Sequence, residues 1–223
     1  MNIAVLCSGR GSNFLNLLMD HEKGLITDAE FVVMLTDNKA AGALNVAREF
    51  EVPTLVVPRS AYHANREGFE RRLLEVLEPY RADLIVLAGF ERVLGETFLN
   101  AYPQKVINIH PALLPSFPGH RVWQDQLDHG VKLAGATVHF VDVGVDSGPI
   151  IIQGVVPVLD ADDADTLADR ILQVEHWLLP KAVALITAGR VTVSGRKVAI
   201  KDIPRKIIED AAFHTMVWPP LDV

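Results

Sequence analysis

The run Leu84-Ile85-Val86-Leu87-Ala88 contains no polar position. A strand with one face in solvent alternates, so a run that is apolar throughout must be covered on both faces, as central strands of parallel sheets are. Asn2 to Cys7, Phe31 to Leu35 and Thr54 to Val57 read as companion strands. Between them lie the helical stretches Phe14 to Met19 and Ala43 to Phe50, then, past a polar loop from Arg59 to Asn65, Arg66 to Leu77. In the last of these Phe69, Leu73, Leu74 and Leu77 share one face. Strand and helix alternate, which predicts an α/β fold with an open, mostly parallel, doubly wound, Rossmann-like sheet. Ligands then bind beyond the carboxyl ends of the strands.

The later chain reads as strand Val106 to His110, a stiff loop through Pro111, Pro115 and Pro118, and a helix over Trp123 to His129. Strands Leu133 to Val141 and Ile150 to Val158 follow, with Thr137 and His139 on one face of the first. A long helix from Thr166 to Ala188 and a hairpin, Val191 to Val193 with Lys197 to Ile200, close the pattern. The tail ending Trp218-Pro219-Pro220-Leu221 carries no signal. We expect one domain over 1–223, in two halves, 1–105 with the glycine loop and 106–200 with the candidate catalytic residues.

At 223 residues, 49% of them hydrophobic, the chain can bury a sizeable core. A formal charge of -7 without a basic stripe argues against nucleic acid as the main partner. No apolar run approaches a membrane span. Cys7, the single cysteine, reads as a small buried hydrophobe, and the N-terminus leads directly into a strand. A soluble, cytoplasmic protein is expected.

Strand, glycine loop and helix meet at Ser8-Gly9-Arg10-Gly11-Ser12-Asn13. Glycines let the backbone approach a phosphate, and the helix N–H groups and dipole point towards it. Ser12 and Asn13 can cap the helix or donate to phosphate oxygens. The run is neither a full dinucleotide fingerprint nor a Walker loop, so a phosphate monoester fits better than NAD or ATP. A plain capped turn is the structural alternative. The aspartates between Asp160 and Asp165 invite a calcium reading, but they lack the EF-hand glycine and distal glutamate and directly precede a helix. Carboxylates suit that helix dipole.

Asn108 and His110 point to the same side at a strand's exit, and Asp146 follows in a glycine-rich loop. An amide beside an imidazole can stabilise an oxyanion and move a proton, and a nearby carboxylate can polarise the ring. On pattern alone, a turn at a sheet edge with a solvated aspartate is the favoured reading, and it is the surrounding sequence that reverses it. His139 is by default a satisfied strand histidine, although it points towards the Asp146 loop.

The segments Ser8 to Asn13, Leu87 to Phe90, Asn108 to Pro115 and Gly135 to Gly148 together resemble the phosphoribosylglycinamide formyltransferase family. The resemblance runs from Met1 to about Gly189. It implies transfer of a formyl group from 10-formyltetrahydrofolate to the amine of glycinamide ribonucleotide in purine synthesis, with no metal. It further implies Asn108, His110 and Asp146 as catalytic residues, with His110 held protonated by Asp146. Gly11, Ser12 and Asn13 match the phosphate loop, and Glu175 the ribose contact. Arg66, the segment Glu91, Arg92, Val93 and Leu94, and the loop Asp142, Val143, Gly144, Val145 and Asp146 match folate-binding positions, with Asn108 also contacting folate. The expected partners are these two small molecules, and the expected state is a monomer or homodimer.

Two departures stand out. Glu91 replaces the usual apolar residue beside the pterin, and His120-Arg121-Val122-Trp123 replaces the usual polar pattern after Pro118-Gly119, so that loop receives no catalytic role. Methionyl-tRNA formyltransferase, formyltetrahydrofolate hydrolase and a non-catalytic sugar-phosphate-binding module are the rival readings.

Overall fold

A computed structural model describes residues 1–62 and 65–202 and the backbone of Met216–Trp218. His63 and Ala64 of the expected polar loop, and Pro219 to Leu221 of the tail, lie outside the described residues. The chain divides into two compact units, 1–108 with 140–143, and 109–139 with 144–223.

In the first unit, strands β1 (Asn2–Leu6), β2 (Glu30–Thr36), β3 (Thr54–Val56), β4 (Leu84–Leu87) and β5 (Val106–His110, which runs on into the second unit) form a parallel array in the order β5-β4-β1-β2-β3. Helices α1 (Ser12–Glu22), α2 (Ala43–Glu49), α3 (Arg66–Leu77) and α4 (Glu96–Leu99) connect them. Strand β4 is buried at every position, as its composition requires. Phe69, Leu73 and Leu77 of α3 join Leu6, Leu35, Ile85 and Val106 in one core, with Leu74 packed at its margin. The chain leaves β1 for β2 on one side and later returns to β4 on the other. That reversal opens a crevice at the carboxyl ends of β1 and β4, where Ser8 N–H donates to Gly89 O at 2.9 Å. Burial pushes the Cys7 thiol far above its ordinary pKa, which suits a packing residue and not a nucleophile.

In the second unit β6 (Leu133–Phe140) pairs antiparallel with β7 (Ile150–Pro157), and β10 (Met216–Trp218) adds to β7. Helix α5 (Val122–Asp128) and the long α6 (Ala164–Thr187) complete it with the hairpin β8 (Val191–Ser194) and β9 (Lys197–Ile200). Gly154 lets α6 lie close on β7, since a side chain there would collide with Val174 and Leu178. The aspartate run starts α6. Asp163 accepts from Thr166 N–H at 2.9 Å while Thr166 Oγ1 accepts from Asp163 N–H, a reciprocal cap. Asp162 pairs with both Nη atoms of Arg170, at 2.6 and 2.7 Å, and its pKa falls to about 2.

Candidate active site

His110 ends β5 and is 4% exposed. Its Nδ1 lies 3.4 Å from Asp146 Oδ2, and its Nε2 lies 2.8 Å from the carbonyl oxygen of Phe117. The second carboxylate oxygen of Asp146 is 3.6 Å from Nε2 of His139, so the carboxylate bridges two buried histidines. Gly119 N–H donates to Asp146 Oδ2 at 2.9 Å. The loop after Pro118 thus reaches the aspartate through its backbone. Side-chain pattern carries no trace of such a contact.

The electrostatics differ from the sequence expectation in one respect. Burial pulls His110 below the ordinary imidazole value and outweighs the upward influence of Asp146 and the Phe117 carbonyl, while His139 and His120 add to the lowering. Hence Asp146 opposes, but does not overcome, the cost of burying a charged ring. Burial would raise Asp146 itself, but His139, the Gly119 N–H and His110 outweigh it and hold the carboxyl below its usual range. Asp146 is therefore a carboxylate at neutral pH. Both ring nitrogens of His110 face acceptors, and a neutral ring has only one proton for the two.

The two partners of His110 share an uncommon backbone. Phe117 has φ 55° and Asp146 has φ 50°, in the left-handed region that side chains bulkier than asparagine or aspartate seldom adopt. Such outliers concentrate at sites where surrounding structure enforces them. The enforcement is visible for the proline loop. Thr137 Oγ1 donates to Ala112 O at 2.6 Å and accepts from Leu114 N–H at 3.1 Å. Gln153 Nε2 donates to Leu114 O at 2.9 Å and to Thr137 Oγ1, and Gln126 Nε2 donates to Pro111 O. Thr137 is wholly buried and shares the β6 face with His139, so one strand face anchors the loop and contacts Asp146. Thr137→Val keeps the shape but deprives Ala112 O, Leu114 N–H and Gln153 Nε2 of their shared hydroxyl, leaving only the 3.2 Å contact of Leu114 N–H with Ala112 O at this point of the loop. It should cost about 2 kcal/mol, which lowers Tm by roughly 4–8 °C in a thermal melt. An unchanged melt would show that the hydroxyl does not hold the loop.

In the first unit Gly11 is the N-cap of α1, with φ 84° and ψ 20°. Neither Ser12 nor Asn13 occupies the cap position expected of it, because the helix begins at Ser12. Gly11, lacking a side chain, supplies no cap, and Asn13 is buried. A Cβ on Gly11 would lie 2.7 Å from the Cα of Ala43, so glycine is required by both backbone angle and space. A helix start without a side-chain cap turns its first N–H groups towards whatever approaches.

The remaining candidates are placed as follows. Glu91 is exposed, turned towards Arg59 at 3.0 Å, and its N–H donates to Ser8 Oγ at 3.0 Å. The departure at this position is therefore a paired surface carboxylate. Arg92 lies over the Phe69 ring at 4.4 Å, Leu94 is buried in the core and Val93 is exposed. Arg66 opens α3 against Glu70 at 2.8 Å. Asn108 pairs with Leu87 in the β5–β4 ladder and precedes His110 by two positions. Asp142 and Val143 belong to the first unit, and Gly144 and Val145 to the second; both valines are exposed. Glu175 lies on α6, 8% exposed. Among the described residues no helix is long and apolar enough to cross a membrane.

The pattern of the formyl transferase family matches residues 1–183. A phosphoribosylglycinamide formyltransferase of Mycobacterium tuberculosis is 43% identical over 194 residues, covering 87% of this chain and 88% of that protein. The trifunctional purine biosynthetic protein adenosine-3 of Drosophila melanogaster is 42% identical over 197 residues, which are 86% of this chain and 14% of that much longer protein. The crystal structure of glycinamide ribonucleotide transformylase 1 from Symbiobacterium toebii superposes with a TM-score of 0.86 at 42% identity, over 90% of this chain and 93% of that one.

Proposed function

Because the chain belongs to the formyl transferase family, we propose that it transfers the formyl group of 10-formyltetrahydrofolate to the amine of glycinamide ribonucleotide, a step of purine synthesis. The observation that carries this reading is the ionised Asp146 set against His110 at 3.4 Å, at the end of β5 and beside a proline loop pinned to a buried strand. The whole chain acts as one formyltransferase domain, in the cytoplasm, as a monomer or homodimer, and no metal takes part in the reaction.

The acceptor's phosphate rests on the α1 start at Gly11, Ser12 and Asn13, and Glu175 contacts its ribose. Arg66, the 91–94 segment and the 142–146 loop hold the folate. The amine nitrogen attacks the formyl carbon, and the carbonyl electron pair moves onto oxygen. Asn108 and the imidazolium of His110 stabilise that oxyanion. Reaching it requires the Nε2–H of His110 to leave the Phe117 carbonyl. The growing negative charge supplies what the resting ring lacks, a reason to take up a second proton, which comes from solvent and returns there once the oxyanion has collapsed. Asp146 accepts the amine proton, directly or through water. The intermediate then collapses, the C–N bond to the folate breaks, and that nitrogen takes the proton that Asp146 received from the amine.

Formyl transfer measured with glycinamide ribonucleotide, without it, and with methionyl-tRNA in its place tests the assignment. We expect turnover with the small acceptor, none with the tRNA, and no comparable hydrolysis without an acceptor. Efficient formylation of the tRNA, or hydrolysis independent of acceptor, would overturn it.

A further inference from the structure

The buried carboxylate of Glu70 serves three donors within the first unit. Its Oε1 accepts from Arg66 Nε at 2.8 Å and from Gly95 N–H at 2.6 Å, and its Oε2 accepts from Phe98 N–H at 3.2 Å. Its side chain is only 3% exposed, whereas that of Arg66 is 50% exposed. The contacts to Gly95 and Phe98 are at the start of α4, so a residue on α3 caps another helix.

Gly95 completes the arrangement. A Cβ there would lie 2.6 Å from Nη2 and 2.8 Å from Cζ of Arg66, so the guanidinium rests flat on the bare glycine backbone. One edge of the guanidinium is held by Glu70 and one face by Gly95. Its outer edge opens into a cleft of about 400 Å³ lined also by Glu96, Thr97 and Val143. Glu67, at the rim, is engaged by Arg71 at 2.6 Å.

A guanidinium fixed in this way presents a planar pair of N–H donors, the geometry that suits a carboxylate. An unfixed arginine would have to be ordered by the ligand at an entropic cost. We propose that Glu70 is a positioning residue for the formyl donor: one buried carboxylate orients Arg66 towards the donor's anionic tail and fixes the Leu94–Gly95 segment beside it. This rests on the reading of Arg66 as a folate contact. It adds that the tail contact and the 91–94 segment are coupled through a side chain that never touches the ligand.

The test compares two formyl donors, one with its glutamate tail and one in which that tail is replaced by a neutral amide. Glu70→Gln keeps the shape but brings an NH2 among three donors. It should raise KM for the glutamate-bearing donor about tenfold or more, with kcat and the ribonucleotide KM within about twofold. KM for the neutral donor should stay within about twofold. Gly95→Ala gives a second route should Glu70→Gln fold poorly. Gly95 has φ -113° and accommodates alanine, so the new methyl displaces the flexible guanidinium and leaves Glu70 in place. It should show the same dependence on donor.

Arg66→Ala separates the two levels of the argument. If it weakens both donors equally, Arg66 is no tail contact and the proposal falls with that assignment. If Arg66→Ala discriminates while Glu70→Gln and Gly95→Ala weaken both donors equally, Glu70 is merely structural and the proposal alone is overturned.

Discussion

Asp146→Asn should lower kcat by at least about 10²-fold while KM for both substrates changes far less. The effect falls on kcat because the lost interaction is with charge that develops in the transition state. The local geometry sharpens the expectation. With Nε2–H of His110 directed to the Phe117 carbonyl, an asparagine at 146 can turn its NH2 to Nδ1 and satisfy a neutral ring completely. The substitution therefore removes the upward influence of Asp146 on a pKa that burial already lowers. Titration of His110 by NMR should move to still lower pH, the sign expected when an anion leaves an imidazole. Asparagine also tolerates the φ of 50° at this position, so the variant should fold. A purely structural aspartate would behave in the opposite way, with a lower unfolding midpoint and near-normal turnover in the folded fraction.

Gly11→Val should raise KM for the ribonucleotide by at least about tenfold, the size of one lost charge-assisted hydrogen bond, and leave KM for the folate donor little changed. The valine is strained twice, by a φ of 84° and by Ala43 beneath it, so stability should fall as well. KM does not depend on how much protein is folded, which keeps the comparison clean. Ser12→Ala, which leaves the backbone path intact, should give a smaller rise of the same selectivity. Equal damage to both substrates in folded protein would remove the phosphate role from this loop.

How far the sequence reached can be followed residue by residue. Strand β4 was legible because covering both faces is the only outlet for an all-apolar run, and Phe69, Leu73 and Leu77 were legible because helical spacing puts them on one face. The helix start after the aspartates was legible for a similar reason, the preference of carboxylates for a helix N-terminus. Helix α4 was not, since its four residues carry no periodicity and its cap comes from Glu70, distant in the chain. Strand β10 was missed because an edge strand of three residues is defined by its partner β7 and not by its own pattern. At the site, side-chain chemistry allowed a role for His110 and Asp146, the family resemblance singled them out, and strand alternation kept His139 in view. The Phe117 carbonyl and the Gly119 N–H escaped, because backbone groups look alike in every sequence. The resting charge of His110 escaped as well. It depends on how deeply the ring is buried, which a neighbouring aspartate does not reveal.

The placement of β1 between β2 and β4 bears on how the chain is made. As it emerges from the ribosome, β1 can pair with β2 once Phe31 is available, but its other edge waits for Leu84. Throughout that interval a strand apolar from Ile3 to Leu6 shows an open edge, the kind of surface on which nascent chains associate wrongly. The contact from Ser8 N–H to Gly89 O forms only after β4 has docked. The glycine loop is thus encoded well ahead of the strand that gives it its final setting, and a stalled chain ending before β4 would carry the loop's residues without the loop's geometry.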